Sequence, residues 1–328
     1  MNSKRPDATT TAPPRPRACR ALVPAILMAG ALLASGTAAS EGPPRVLATI
    51  KPIHSLVAGV MRGVGQPALL IEGGQSPHGF ALRPSHARAL AKAEIVFWVG
   101  PALETSLSRV LDRQSTRIRL VRLGPNDGES GSRSGDAGTG NANAGVHRHE
   151  HDHDHAGADP HPWLDPRNAH AMVESIATVL TELDPASAGL YAANALSLGS
   201  ELDALDRELA RELAPIAGQP YIVFHDAYRA MEQRYGLNAV GAVRFNPEAP
   251  AGAGHVARLL RLADSGVACV FAEPQFEPAL ARRLAEDTGA RLGVLDPVGA
   301  DLRPGPLLYF DLMRANANAL VRCLAGND

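Results

Sequence analysis

The chain has 328 residues, 20% of them charged and 45% hydrophobic, a balance that excludes both disorder throughout and a bundle of membrane spans. Many of its 31 glycines and 26 prolines fall in the first 45 positions and in the stretch 124–160, so the compact part is smaller than the whole and has the length of two domains. The formal net charge of −2 gives no sign of a nucleic-acid partner.

The first 39 residues read as an export signal. Lys4, Arg5, Arg15, Arg17 and Arg20 form a basic region, Ala21 to Leu33 an apolar run too short to span a bilayer, and Thr37, Ala38 and Ala39 a small-residue cleavage site. Cys19 precedes the apolar run, whereas a lipid-anchoring cysteine would follow it, so the mature protein is expected free in its compartment. Cleavage after Ala39 would leave 27 basic against 33 acidic side chains.

Beyond the signal, short β-branched runs alternate with helical patterns, which predicts an α/β protein with parallel strands. In the first half, residues 40–183, strands are expected at Val46–Ile50, Ala68–Ile71, Ile95–Val99 and Ile118–Leu123. Helices are expected at Ile53–Met61 and Ser85–Ala93, with Ser85 as the cap of the second, and another helix is opened by Asp165-Pro166. Asp184-Pro185 marks the start of a linker helix, residues 184–214, because Leu198, Leu202, Leu205, Leu209 and Leu213 recur at spacings of four and three. In the second half, residues 215–328, strands are expected at Tyr221–Phe224, Ala239–Val243, Val267–Ala272 and Arg291–Leu295. Helices are expected at Asp226–Tyr235, Gly254–Ala263 and Glu277–Thr288, with Gly236 and Gly289 as stops, and a last helix begins near Tyr309.

Five of the twelve histidines, His147, His149, His151, His153 and His155, alternate with acidic residues inside a Gly/Ser/Asn/Asp-rich insertion spanning 124–160. Such a segment cannot bury a core and is expected to be a loop that captures divalent cations weakly. His149-Glu150-His151-Asp152-His153 satisfies the HExxH pattern, but a metalloprotease needs those residues on a packed helix, and no apolar face is present.

Other histidines stand at strand ends or in adjoining loops. His225 follows a strand directly, as does Asp296; His78 lies in a glycine-rich loop after a strand, and His161 sits between Pro160 and Pro162. Ligand sites of parallel sheets form beyond the carboxyl ends of strands, so His78, His161, His225 and Asp296 could converge between two lobes as a four-coordinate shell suited to Zn2+. His54 could line the same cleft, whereas His86, His170 and His255 are assigned to solvated helical positions. Cys269 and Cys323, outside any metal-binding spacing, are expected to pair after export, with two buried free thiols as the alternative.

Several segments resemble the cluster A-I, zinc-type (ZnuA-like) solute-binding proteins of bacterial ABC importers. They are Thr49-Ile-Lys-Pro52, His78 with Leu82-Arg-Pro-Ser85, Val96-Phe-Trp-Val-Gly100, His161-Pro-Trp-Leu164, Phe224-His-Asp-Ala-Tyr228, Phe271-Ala-Glu-Pro-Gln-Phe276 and Leu295-Asp-Pro297. The resemblance implies two pseudo-symmetric lobes joined by a long helix. It implies a monomeric periplasmic receptor that passes Zn2+ to an ABC permease in the inner membrane without covalent chemistry. His78, His161 and His225 match the family's histidine ligands, and Asp296 matches a carboxylate ligand of relatives. Where some members carry an acidic residue before the first histidine this chain has Pro77, which leaves Asp296 or water for the fourth place. Cys269 and Cys323 resemble a cysteine pair bonded in some members. Three readings compete: a Mn2+ or Fe2+ receptor of the same superfamily, an exported zinc hydrolase with Glu273 as general base, and a surface adhesion protein, which the lack of a lipid-anchor cysteine and of repeats disfavours.

Overall fold

The computed structural model describes residues 42–125, 159–244, 247–248, 252–263 and 266–326. The expected export signal and the five histidines His147, His149, His151, His153 and His155 lie outside the described residues.

Val46–Ala48 (β1), Ala68–Leu69 (β2), Ile95–Trp98 (β3) and Arg119–Arg122 (β4) form a parallel sheet in the order β2-β1-β3-β4. Pro220–His225 (β5), Asn238–Arg244 (β6), Cys269–Ala272 (β7) and Arg291–Val294 (β8) form a second parallel sheet in the equivalent order β6-β5-β7-β8. The two halves thus repeat one topology. In both, the inner strands β1, β3 and β7 are buried along their whole length, which is why they read as continuous apolar runs without alternation.

The helices are Lys51–Val60 (α1), Pro84–Lys92 (α2), Thr105–Gln114 (α3), Pro166–Leu183 (α4), Ala188–Leu213 (α5), Arg229–Tyr235 (α6), Ala253–Ala263 (α7), Ala279–Thr288 (α8) and Leu308–Ala325 (α9). The 26 residues of α5 extend about 40 Å at 1.5 Å per residue and link the two sheets in sequence. The expected stripe Leu198, Leu202, Leu205, Leu209 and Leu213 is buried, and α5 packs on α1 and α4 from the first half and on α9 from the second. At the α1–α5 crossing Gly59 lets the backbones approach, since a β-carbon there would lie 2.7 Å from Leu198 Cδ2. Cys269 of β7 and Cys323 of α9 form a disulfide with a Cα–Cα distance of 6.2 Å, which pins α9 to the second sheet.

Two local expectations are corrected, and one unexpected helix is found. Ser85 does not cap α2: Arg83 is the capping residue, Pro84 takes the first helical position that its missing N–H suits, and His86 Nδ1 accepts the Arg83 N–H at 3.0 Å. Asp184-Pro185 opens a 3-10 turn, Pro185–Ser187, ahead of α5, and the Asp184 carboxylate accepts the Tyr191 hydroxyl at 3.0 Å instead of capping. Helix α3 was not expected, because serine and charged residues dilute its pattern. Leu103, Leu107 and Leu111, all buried and four apart, are the signal that could have found it.

Candidate metal centre

Strand order dictates where chemistry can gather. In each sheet the chain leaves the central pair of strands in opposite directions, and the crevice opens beyond their carboxyl ends. The second sheet uses this crevice most clearly. β5 pairs with β7 with Tyr221 opposite Cys269 and Ile222 opposite Val270, so the same register four residues on sets His225 beside Glu273. The His225 Nδ1–H accordingly donates to Glu273 at 2.7 Å (Oε1) and 2.9 Å (Oε2), with both side chains buried.

His161 enters from the other side, just before a 3-10 turn, Pro162–Leu164, whose Trp163 is fully buried. The Trp163 indole donates to Pro297 O at 2.8 Å, and the Tyr309 hydroxyl donates to Trp163 O at 2.7 Å, which fixes the turn against the second half. The His161 ring Nδ1–H donates to Asp159 Oδ1 at 3.2 Å, while the other oxygen of Asp159 accepts the Ala230 amide at 3.1 Å. His78 comes from the loop after β2, with its amide on Ser76 Oγ at 3.3 Å.

These three rings converge. His161 Nε2 lies 3.1 Å from His78 Nε2 and 3.4 Å from His225 Nε2, and one nitrogen of each ring falls within 4.8 Å of the others. Because Asp159 and Glu273 each hold an Nδ1–H, the Nε2 atoms of His161 and His225 carry lone pairs. Two such lone pairs facing one point repel unless a proton or a cation lies between them. Burial, followed by the neighbouring His161 and His225, pushes His78 down to about 2, and burial also lowers His161, so these imidazoles are neutral and ready to ligate. Ser76, Pro77, Glu273, Gln275, Phe276, Pro297 and Val298 complete the cavity wall, and Phe276 stacks on Phe224 with ring centroids 4.8 Å apart.

Asp296, expected as the fourth residue of the shell, is not among the residues whose ligand atoms lie within 4.8 Å of one another. Asp296 Oδ1 accepts Gln275 Nε2 at 2.6 Å and the amides of Val298 and Gly299 at 3.0 and 2.9 Å, and Oδ2 accepts the Ala300 amide at 2.5 Å. A carboxylate that accepts three backbone N–H groups organises the turn after β8. His54 is likewise not on the cavity wall, being buried with Nε2 on Pro67 O at 3.1 Å. His170 is partly exposed beside Asp203, and His255 reaches Ala242 O at 2.8 Å.

Sequence reasoning missed the supporting roles of four residues. Asp159 and Glu273 orient ligand rings, and Gln275 lines the cavity; Lys51 of α1 caps three carbonyls of the facing loop, Gly299, Ala300 and Leu302, at 2.8, 2.6 and 3.0 Å. Glu273 stands after β7 as His225 closes β5, the same strand-end signal that singled out the histidines. Glu273 spends its carboxylate on His225 and on the Tyr228 hydroxyl at 3.4 Å, so it is not poised as the general base of a hydrolase.

The family model for ZnuA, described as the zinc-uptake complex component A, periplasmic, matches residues 46–323. This chain belongs to the ZnuA family. It is 43% identical to the high-affinity zinc uptake system protein ZnuA of Brucella suis over 92% of this chain and 98% of that protein. It is 39% identical to the ZnuA of Paracoccus denitrificans over 92% of this chain. Its fold is that of a zinc-bound ZnuA deletion mutant, with a TM-score of 0.69 at 23% identity over 86% of this chain and 98% of the other. A laminin-binding protein of Streptococcus agalactiae with adhesin and metal-transporting activity shares the fold at a TM-score of 0.68 and 20% identity, over 86% of this chain and 99% of that one. ZnuA proteins are named as uptake components, not enzymes.

Proposed function

We propose that this protein is the periplasmic zinc receptor of an ABC-type importer, with His78, His161 and His225 supplying three nitrogen ligands to the ion and a membrane permease receiving it. One observation carries the reading: three rings from separate segments converge on one point, two with their Nε2 lone pairs fixed inward by the carboxylates of Asp159 and Glu273. An all-imidazole set favours Zn2+ over Mn2+, which is better served by oxygen ligands, and this supports zinc as cargo. No described helix is long and apolar enough to cross a membrane. In this reading the receptor works as a monomer in the periplasm after removal of residues 1–39, in two lobes divided at 40–183 and 215–328 by the linker 184–214. The insertion histidines, His147 to His155, serve in this reading as an auxiliary weak capture site.

Chelator-competition titration of the wild type and of His78→Ala, His161→Ala and His225→Ala tests the assignment. Each variant should keep its fold and lose tight zinc binding, and three variants binding as the wild type does would refute it.

A further inference from the structure

Among the groups on the cavity wall, Gln275 has an unusual pair of partners. Its Nε2 donates to Asp296 Oδ1 at 2.6 Å, while its Oε1 is buried with no hydrogen-bond partner. The orientation of this amide is not arbitrary. Asp296 also accepts from the amides of Val298, Gly299 and Ala300, and a carboxylate so used can only accept, so the nitrogen of Gln275 must face it. The oxygen is therefore left free within a residue that lines the same cavity as the three histidines. A buried, unpaired amide oxygen costs stability, and in a folded protein such an exception calls for a functional explanation.

The rest of the wall offers little competition for the fourth side of the ion. Pro77 has no donor or acceptor in its side chain, Ser76 Oγ accepts the His78 amide at 3.3 Å, Glu273 is held by His225 and Tyr228, and Phe276, Pro297 and Val298 present apolar surface, while Asp296, outside the wall, is committed to its turn. A tetrahedral zinc held by three imidazoles keeps one position, which water fills most simply. A water there carries two polarised O–H bonds and needs an acceptor.

Building on the reading of the three histidines as zinc ligands, we propose that Gln275 sets the fourth coordination position, its Oε1 accepting a hydrogen bond from the water that completes the shell. Asp296 then acts at one remove, as the residue that aims Gln275. A neutral carboxamide in this place holds the water without deprotonating it and adds no negative charge, so the ion is retained by the imidazoles and remains releasable.

The test uses the mature protein loaded with zinc or with Co2+, whose visible bands report the geometry and donors of the shell. Gln275→Leu keeps the volume and removes both the Oε1 acceptor and the Nε2 donor to Asp296, and Gln275→Met does the same with a more adaptable side chain should leucine disturb the turn. Loss of one such hydrogen bond should weaken zinc binding by about tenfold. It should also shift the cobalt bands, and the affinity loss should exceed whatever change in metal-free melting temperature the lost contact to Asp296 produces. Wild-type affinity with unchanged cobalt bands in both variants would overturn the proposal, and so would a loss of affinity that only tracks a loss of metal-free stability. A wild-type protein without imidazole-type cobalt bands would instead overturn the three-histidine reading on which this one rests.

Discussion

Replacing Glu273 by glutamine isolates the electrostatic support behind one ligand. The His225 ring is 4% exposed and the Glu273 side chain 0%, and their contacts of 2.7 and 2.9 Å are the shortest polar contacts made by any of the three rings. A hydrogen bond to a charged partner contributes about 1.5–3 kcal/mol against about 1 kcal/mol for a neutral pair. The substitution should therefore cost about 0.5–2 kcal/mol of zinc binding, about 2- to 30-fold, whose upper part overlaps the range of about 10- to 100-fold seen when an outer carboxylate behind a ligand histidine is removed. Glutamine keeps the volume and can still present an oxygen to Nδ1–H, with its amide group turned to the Tyr228 oxygen. The loss should thus appear in metal affinity and not in the metal-free fold. Competition titration against a chelator of known affinity, paired with thermal unfolding of the metal-free protein, measures the two quantities separately. An affinity within a factor of two of the wild type would refute the claim that Glu273 tunes His225.

Asp296→Ala removes the acceptor for three backbone amides and should lower stability by about 2–4 kcal/mol, while weakening zinc binding less than any of the three histidine substitutions. Unchanged stability with abolished zinc binding would return Asp296 to the shell. Reducing the Cys269–Cys323 bond, which closes a separation of 54 residues, should cost at most about 4 kcal/mol and leave zinc stoichiometry at one tight site; a metal-binding loss without unfolding would contradict this. Glu104 is buried and its carboxyl is pushed up to about 7 by that burial, against hydrogen bonds from Thr49 and the Gly100 and Val99 amides. Since its folded value lies above the unfolded one, the folded state holds the extra proton, and stability should fall as pH rises from about 4.5 to about 7. Denaturant unfolding should show that fall in the wild type, by about 3 kcal/mol at 1.36 kcal/mol per pH unit, and not in Glu104→Gln; parallel curves would refute it.

Strands and the backbone helix were legible because their signals are local. Tyr221–Phe224 and Val267–Ala272 are apolar runs of strand length, and the leucines of α5 keep helical spacing over four turns. The histidines were legible as strand-end and loop residues, since in a parallel sheet such positions border the crevice. What could not be read was the direction of each polar side chain. Asp296 follows its strand as His225 does, but its carboxylate turns back on the amides of residues 298–300, a choice made by the turn and not by the residue type. Asp159 and Glu273 matter through distances to rings 2 and 48 positions away in sequence, which no spacing rule reports. Lys51 reaches carbonyls about 250 residues further along, and its role exists only once the two halves meet.

The central claim is tested most directly by X-ray absorption at the zinc edge on mature protein loaded with one equivalent of the ion. Three nitrogen donors at about 2.0–2.1 Å with imidazole outer-shell scattering, and one fewer in His161→Ala, are expected. A shell dominated by carboxylate oxygen or sulfur, or one unchanged by the loss of His161, would contradict the three-histidine site.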